Sequence, residues 1–246
     1  MNSIRNLLLD LDGTLISINE LQAKIYFIVK AMTWKEFRVS PLKLLYSFSL
    51  FKSNIINNNN KTLIYSKAIK TFSQTMNISI NDSEKILTKF IEYIFPLLKK
   101  YFSIIPEANS FINWAKNRYE LYLATNPFWP PEFVYLRLQW AGIDTNTFKF
   151  ISHSKNMYYS KHSKLYFQDF LSLNKLKSEE CLMIGNKLAL DGNARKIGMN
   201  VFILDLKNKK NNSHKEKYLE NYNFGTVNFG NYYDLVNYLE RDSKCL

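Results

Sequence analysis

The chain opens with a short apolar segment, after which the spacing of its hydrophobic residues changes. Leu7–Leu9 is uniformly apolar and is followed by Asp10 and a polar stretch that contains glycine. A run this short, ended so abruptly, predicts a buried parallel strand that leads into a loop. Between residues 17 and 101 the apolar residues recur every three or four positions, which predicts amphipathic helices. The first of these helices carries Leu21, Ile25, Ile28 and Met32 at this spacing.

Local start signals divide this helical region into four expected helices. Ser40-Pro41 places a proline at a first helical position, and Asn81 with Glu84 three residues later resembles a capping box. The run of asparagines at 57–60 predicts a polar loop between the second and third helices. We therefore expect a four-helix unit inserted after the first strand.

After this region, short apolar runs alternate with helix-length segments. We expect strands at 120–125, 148–152, 181–184, 201–204 and 226–228. The helices are expected to begin at Pro106, Pro131, Ser163, Ala189 and Tyr232, with a charged loop over 207–217. Strands separated by single helices predict an α/β fold with a Rossmann-like parallel sheet covered by helices. Residues 1–17 and 101–246 should form this core domain, and residues 18–100 the inserted helical domain.

Composition and charge limit the class of protein. Hydrophobic residues make up 46% and charged residues 22%, as in ordinary globular domains. The two cysteines lack metal-site spacing, and no apolar run is long enough for a membrane span. We expect a cytoplasmic protein without a membrane partner. The net charge of +12 allows a nucleic-acid partner as an alternative, but the lysines are scattered and no such motif is present, so none is expected.

Two carboxylates follow the first strand at a spacing that puts them on one side of it. Asp10 and Asp12 are two residues apart, and side chains at that spacing on an extended backbone face the same way. The carboxyl ends of parallel strands are where open α/β sheets bind ligands. Two close carboxylates repel each other unless a cation or a shared proton relieves them. The alternative is an ordinary turn, since Asp and Gly are common turn residues.

Other polar residues end the later strands. The hydroxyl of Thr125 and the backbone N–H of Asn126 could hold phosphoryl oxygens, or could belong to a simple Thr-Asn-Pro turn. Lys161 precedes a helix and could be one more solvated lysine. Asp191 lies in the loop region after the fourth strand, where a plain helix cap is the alternative.

In order along the chain, these motifs resemble those of the haloacid dehalogenase-like (HAD) hydrolases, most of which are phosphatases. Asp10-x-Asp12-Gly-Thr-Leu resembles the first motif, whose first Asp is the nucleophile and whose second is the general acid/base. Thr125 resembles the second motif, Lys161 the third, and Asp191 the second acidic position of the fourth. The resemblance implies a HAD-like fold, and it implies that the inserted helices are a C1-type helical cap.

The fourth motif departs from the family pattern. Relatives carry Asp beside the glycine, whereas this chain has Gly185-Asn186-Lys187. The resemblance implies Mg²⁺ held by Asp10, Asp12 and Asp191, with Asn186 as a weak neutral ligand. Lys187 would repel Mg²⁺ if its ammonium pointed inward, and would lie outside the site if it turned to solvent.

The function implied is Mg²⁺-dependent hydrolysis of a small phosphorylated substrate. Asp10 and Asp12 would be catalytic, and Thr125, Asn126 and Lys161 would bind the phosphoryl group. The alternative is a degenerate HAD-like protein that binds phosphate or a partner with little or no turnover, because its fourth motif is altered.

Overall fold

The computed structural model describes residues 4–35, 41–57, 60–205 and 225–243. The strands are β1 (Asn6–Leu9), β2 (Ile16–Ile18), β3 (Phe102–Ile104), β4 (Glu120–Leu123), β5 (Phe150–Ile151), β6 (Cys181–Gly185), β7 (Asn200–Leu204) and β8 (Val227–Gly230). The helices are α1 (Glu20–Thr33), α2 (Pro41–Ile56), α3 (Ile64–Met76), α4 (Ile80–Leu98), α5 (Pro106–Ala115), α6 (Pro131–Ala141), α7 (Lys164–Asn174), α8 (Leu188–Asp191) and α9 (Tyr232–Ser243). Ser40 and the expected loop over 207–217 lie outside the described residues.

The core is a six-stranded parallel sheet with the strand order β5-β4-β1-β6-β7-β8. β1 lies between β4 and β6, and all four of its residues are buried. Leu7 and Leu9 pack into one hydrophobic cluster and Leu8 into another, because helices cover both faces of the sheet. This double coverage explains why the strand is apolar at every position. The predicted α/β fold with a Rossmann-like sheet is confirmed.

Two strands were absent from the sequence prediction. β2 and β3 pair antiparallel in a separate two-stranded sheet, with Ile16 opposite Ile104 and Ile18 opposite Phe102. Each has three residues, too few to show an alternating pattern. They join the two ends of the segment that carries α1 to α4, which we call the helical insertion (residues 20–98). Part of the stretch expected to be helical is therefore extended.

Two local details of the predicted helices were also wrong. The side chain of Ser79, rather than that of Asn81, caps α4, because the Ser79 hydroxyl accepts the N–H of Asp82 at 3.0 Å. The expected capping partner Glu84 instead accepts a hydrogen bond from the hydroxyl of Tyr65. In place of the helix expected to begin at Ala189, the structure has the short α8 followed by a 3₁₀ segment, Gly192–Ile197.

The residues whose spacing predicted α1 are not its buried face. Leu21, Ile25 and Met32 are exposed, whereas Ala23 and Ala31 are buried in the core of the helical insertion. Periodicity located the helix, but it did not show which side would be covered, because that depends on the packing of the other helices. Within the described ranges, no helix has the length and apolar character needed to cross a membrane.

An aromatic cluster connects the helical insertion to the sheet domain. The ring centroids of Phe95 in α4 and Phe133 in α6 are 3.5 Å apart, and Trp129, just before α6, meets Phe27 of α1 at 5.7 Å. Aromatic contacts of this kind bury large apolar areas. They hold the helical insertion against the chain segment that follows β4, beside the carboxyl ends of the strands.

Candidate active site

The ends of three neighbouring strands bring most of the predicted site residues to one edge of the sheet, and Lys161 follows a fourth strand, β5. Leu9, the last residue of β1, lies opposite Leu123 of β4 and Ile184 of β6. The N–H of Asp10 still donates to the carbonyl of Ile184 at 2.9 Å. Residues that follow all three strands therefore emerge side by side, at the edge where open α/β sheets bind ligands.

Lys161 connects the carboxylates of Asp10 and Asp191. Its ammonium donates to Oδ1 of Asp10 at 2.8 Å and forms a second ion pair with Asp191. The side chains of Lys161 and Asp191 are 1% exposed and that of Asp10 is 12% exposed, so the three charges meet away from bulk water. The side-chain amide of Asn193 donates to the Lys161 carbonyl at 2.9 Å and fixes the backbone there.

Burial and this ion pairing shift the pKa values in the cluster. Burial raises the pKa of Asp10 to about 6, the Lys161 ammonium opposes that rise, and the charges of Asp191 and Asp12 add to it. Burial alone would lower the pKa of Lys161, but the two carboxylates outweigh burial and raise it. Lys161 therefore keeps its positive charge at neutral pH, and a proton binds more readily to Asp10 than to an exposed aspartate.

Thr125 and Asn126 lie against the same cluster. Thr125 is buried, and its carbonyl accepts hydrogen bonds from the Ser152 hydroxyl at 3.0 Å and the Tyr166 hydroxyl at 2.9 Å. The side-chain oxygen of Asn126 accepts the N–H of Lys161 at 3.3 Å. Ser152 and Tyr166 were not predicted from the sequence, because single hydroxyl residues in later segments carry no spacing signal.

Two glycines make room for polar side chains of the fourth motif. Gly13 has a φ of +83°, and a Cβ at that position would collide with the side-chain amide of Asn186. A Cβ on Gly185 would collide with the carboxylate of Asp191. Larger residues at either place would displace a polar side chain from the site, so both glycines are needed for close approach, and Gly13 also for its turn.

Lys187 turns away from the carboxylates. Its ammonium pairs with Glu20, the first residue of α1, and its side chain is 44% exposed. Its backbone N–H donates to Oδ2 of Asp191 at 2.9 Å. The sequence left open whether the Lys187 ammonium points into the site or out of it. In the structure it lies outside the site.

The donor set suits a divalent cation only in part. Across the described ranges, no group of three or more His, Cys, Asp or Glu side chains is arranged to hold a metal ion. The two oxygens of Asp191 face the Lys161 ammonium and the Lys187 N–H. Oδ1 of Asn186, however, is buried and has no hydrogen-bond partner among the described atoms. A buried oxygen without a partner, on a side chain that lies against Gly13 of the first motif, fits Mg²⁺, which is often held by one or two carboxylates together with substrate oxygens.

The structure adds one charged residue that the sequence analysis missed. Arg137 of α6 is 1% exposed, and its guanidinium pairs with Oδ2 of Asp12. A signal was available, because Arg137 shares the buried side of α6 with Val134, Leu138 and Ala141. A charge on the apolar side of a predicted helix indicates a buried partner.

Solved structures of HAD-like proteins match nearly the whole chain. A 2-haloacid dehalogenase from Pseudomonas syringae matches with a TM-score of 0.63 and 15% identity, over 97% of this chain and 99% of its own. YfnB of Bacillus subtilis, bound to magnesium, has a TM-score of 0.56 and 17% identity over 97% and 99%. A HAD phosphatase from Thermococcus onnurineus has a TM-score of 0.54 and 16% identity over 96% and 98%. No family model and no curated protein matches the chain.

At these identities the likeness establishes the fold. The chain has the HAD-like α/β fold, which confirms the predicted resemblance at that level. A shared fold does not by itself establish a shared reaction, so function has to be argued from the site.

Proposed function

We propose that this protein is a HAD-type hydrolase that cleaves phosphomonoesters through an aspartyl-phosphate on Asp10. The observation that carries the proposal is the buried Lys161 ammonium shared by Asp10 and Asp191, with Asp12 two residues further on. A cation on one oxygen of Asp10 leaves the other oxygen for attack on phosphorus. The same cation would lie close to the oxygens on which negative charge develops during phosphoryl transfer.

The reaction follows in two steps. An oxygen of Asp10 attacks phosphorus, the bond from phosphorus to the ester oxygen breaks, and Asp12 gives its proton to that leaving oxygen. Water then attacks the aspartyl-phosphate and loses a proton to Asp12, which releases phosphate and regenerates the Asp10 carboxylate. Thr125, the N–H of Asn126 and Lys161 would stabilise the phosphoryl oxygens in both steps.

Asp10, the carbonyl of Asp12 and Asn186 would hold Mg²⁺. Asp191 was also expected from the sequence to be a ligand, and we propose that Asp191 acts instead through Lys161, since both of its oxygens face other donors. When bound, the ion would supply positive charge beside the phosphoryl oxygens. Because Asn186 is neutral, binding should be weaker than at a site with a second free carboxylate.

The altered fourth motif supports a second candidate. A protein with Asn186 in place of a carboxylate could bind phosphate at Lys161 and Thr125 without turning it over. The intact pair of Asp10 and Asp12 favours the enzyme, since a phosphate binder gains nothing from two additional negative charges beside its ligand.

The test compares the wild type with Asp10→Asn on an aryl phosphate, with Mg²⁺ or with a chelator. We expect phosphate release that requires Mg²⁺ and that Asp10→Asn abolishes, because an amide is a poor nucleophile. Asp144→Asn is the matched control, since Asp144 is exposed and only caps a 3₁₀ turn. Acid quenching followed by mass spectrometry should find one added phosphoryl group on the peptide that contains Asp10.

Three results would separate the candidates. Turnover by Asp10→Asn at the wild-type rate would contradict the nucleophile assignment. Turnover by the wild type that a chelator leaves unchanged would remove Mg²⁺ from the proposal. Calorimetric binding of inorganic phosphate without hydrolysis of any ester would favour the degenerate binder.

A further inference from the structure

Arg137 and Asp12 form an ion pair in which the arginine side chain is buried and each residue keeps one polar atom without a hydrogen bond. One Nη of Arg137 pairs with Oδ2 of Asp12, and its Nε donates to the carbonyl of Phe133 at 3.4 Å. The guanidinium carbon lies 4.7 Å from the centre of the Phe133 ring. Nη2 of Arg137 and Oδ1 of Asp12 are both buried and have no hydrogen-bond partner among the described atoms.

Helix packing alone does not account for Arg137. Its neighbours on the buried side of α6 are apolar, and an apolar side chain would fill the same space. Replacing a buried ion pair with apolar residues is often neutral or stabilising, so a buried arginine has to be explained by what it binds. What it binds is the carboxylate of Asp12, which lies on the loop after β1 and has 30% exposure.

We propose that Arg137 is a positioning residue that fixes the side chain of Asp12 for proton exchange with the substrate. This inference rests on the proposed function. The guanidinium occupies Oδ2 of Asp12 and leaves Oδ1 as the oxygen that exchanges the proton. It also balances the negative charge that Asp12 gains once its proton has moved to the leaving oxygen.

The leaving group distinguishes this role from a structural one. An alkoxide is a poor leaving group and needs the proton from Asp12 as its bond to phosphorus breaks, whereas a nitrophenolate departs without one. Loss of the positioning residue should therefore slow hydrolysis of an alkyl phosphate much more than that of p-nitrophenyl phosphate. A general loosening of the fold would slow both esters alike.

The experiment uses Arg137→Met and Arg137→Lys with both esters. We expect Arg137→Met to lower kcat on the alkyl ester about a hundredfold and on p-nitrophenyl phosphate less than about fivefold, with little change in KM. Arg137→Lys should recover part of the loss. Arg118→Met is the matched control, because Arg118 also bonds the carbonyl four residues earlier and lies 5.0 Å from the Trp114 ring, but is exposed. It should leave both rates unchanged.

Equal losses on the two esters, or no loss on either, would overturn the inference. If the wild type hydrolyses neither ester, the proposed function fails. The positioning role of Arg137 is then tested separately, by the position of the Asp12 side chain in crystal structures. Crystal structures should then show the Asp12 side chain in the same position in the wild type and in Arg137→Lys, which keep a positive charge at residue 137. In Arg137→Met, which lacks that charge, the Asp12 side chain should be displaced. An Asp12 side chain unmoved in Arg137→Met would contradict the inference. Arg137→Lys keeps the comparison possible should Arg137→Met fail to fold.

Discussion

Replacing Lys161 with methionine should destabilise the fold by an amount that depends on pH. The substitution keeps the length of the side chain but removes the ammonium from two carboxylates, those of Asp10 and Asp191, which are 12% and 1% exposed. Removing one partner of a buried ion pair costs about 3–5 kcal/mol. Because Asp10 keeps some contact with water, we expect a loss of about 3 kcal/mol in the free energy of unfolding at about pH 8.

The pH dependence has a definite sign. Without the cation, the folded-state pKa of Asp10 rises further above its value in the unfolded chain, where an aspartate titrates near about 4. The folded state then binds more protons than the unfolded state, so stability falls as pH rises from that value through the raised pKa. Burial already raises the pKa of Asp10 to about 6 in the wild type. The loss should therefore be small at about pH 4.5 and complete at about pH 8.

Urea unfolding followed by circular dichroism at both pH values measures the effect. Lys149→Met is the matched control, since Lys149 pairs with Glu120 at 3.1 Å with both side chains exposed, and such pairs contribute less than about 1 kcal/mol. Adding Asp191→Asn to Lys161→Met should restore part of the stability, because it removes one of the two carboxylates left without a cation. A loss in Lys161→Met no larger than in Lys149→Met, or one that does not vary with pH, would refute this reasoning.

Three further predictions follow from the site and the charge. The value of kcat/KM on an aryl phosphate should fall below about pH 6, because Asp10 must be ionised to attack and burial raises its pKa to about 6; an unchanged rate down to about pH 4.5 would contradict this. Asn186→Asp should raise Mg²⁺ affinity about tenfold in calorimetry, whereas Lys187→Ala, which loses only the pair with Glu20, should leave it unchanged. Equal affinities in the wild type and both variants would remove Asn186 from the metal site. Oligonucleotides should bind more weakly than about 1 μM at physiological salt, because scattered charge releases few counterions; tighter binding in fluorescence anisotropy would contradict this.

The sequence by itself determined the parallel sheet and the edge of it where the candidate site lies. The apolar run that ends at Asp10 predicted a strand covered on both faces, which the structure confirms, and the ends of parallel strands meet at one edge whatever the details of packing. The placement of Asp10, Asp12 and Thr125 followed from local spacing together with that rule. These inferences were possible because each rests on residues close together in the chain.

The tertiary structure decided which charges meet. Lys161 is one lysine among many in the sequence, and only the fold brings its ammonium to Asp10, 151 positions away. Lys187 could have faced either way until α1 brought Glu20 beside it. Arg137 reaches Asp12 across 125 positions, and neither residue's neighbours in sequence indicate the other. Long-range ion pairs depend on how whole elements pack, and hydrophobic spacing carries no information about that packing beyond the element itself.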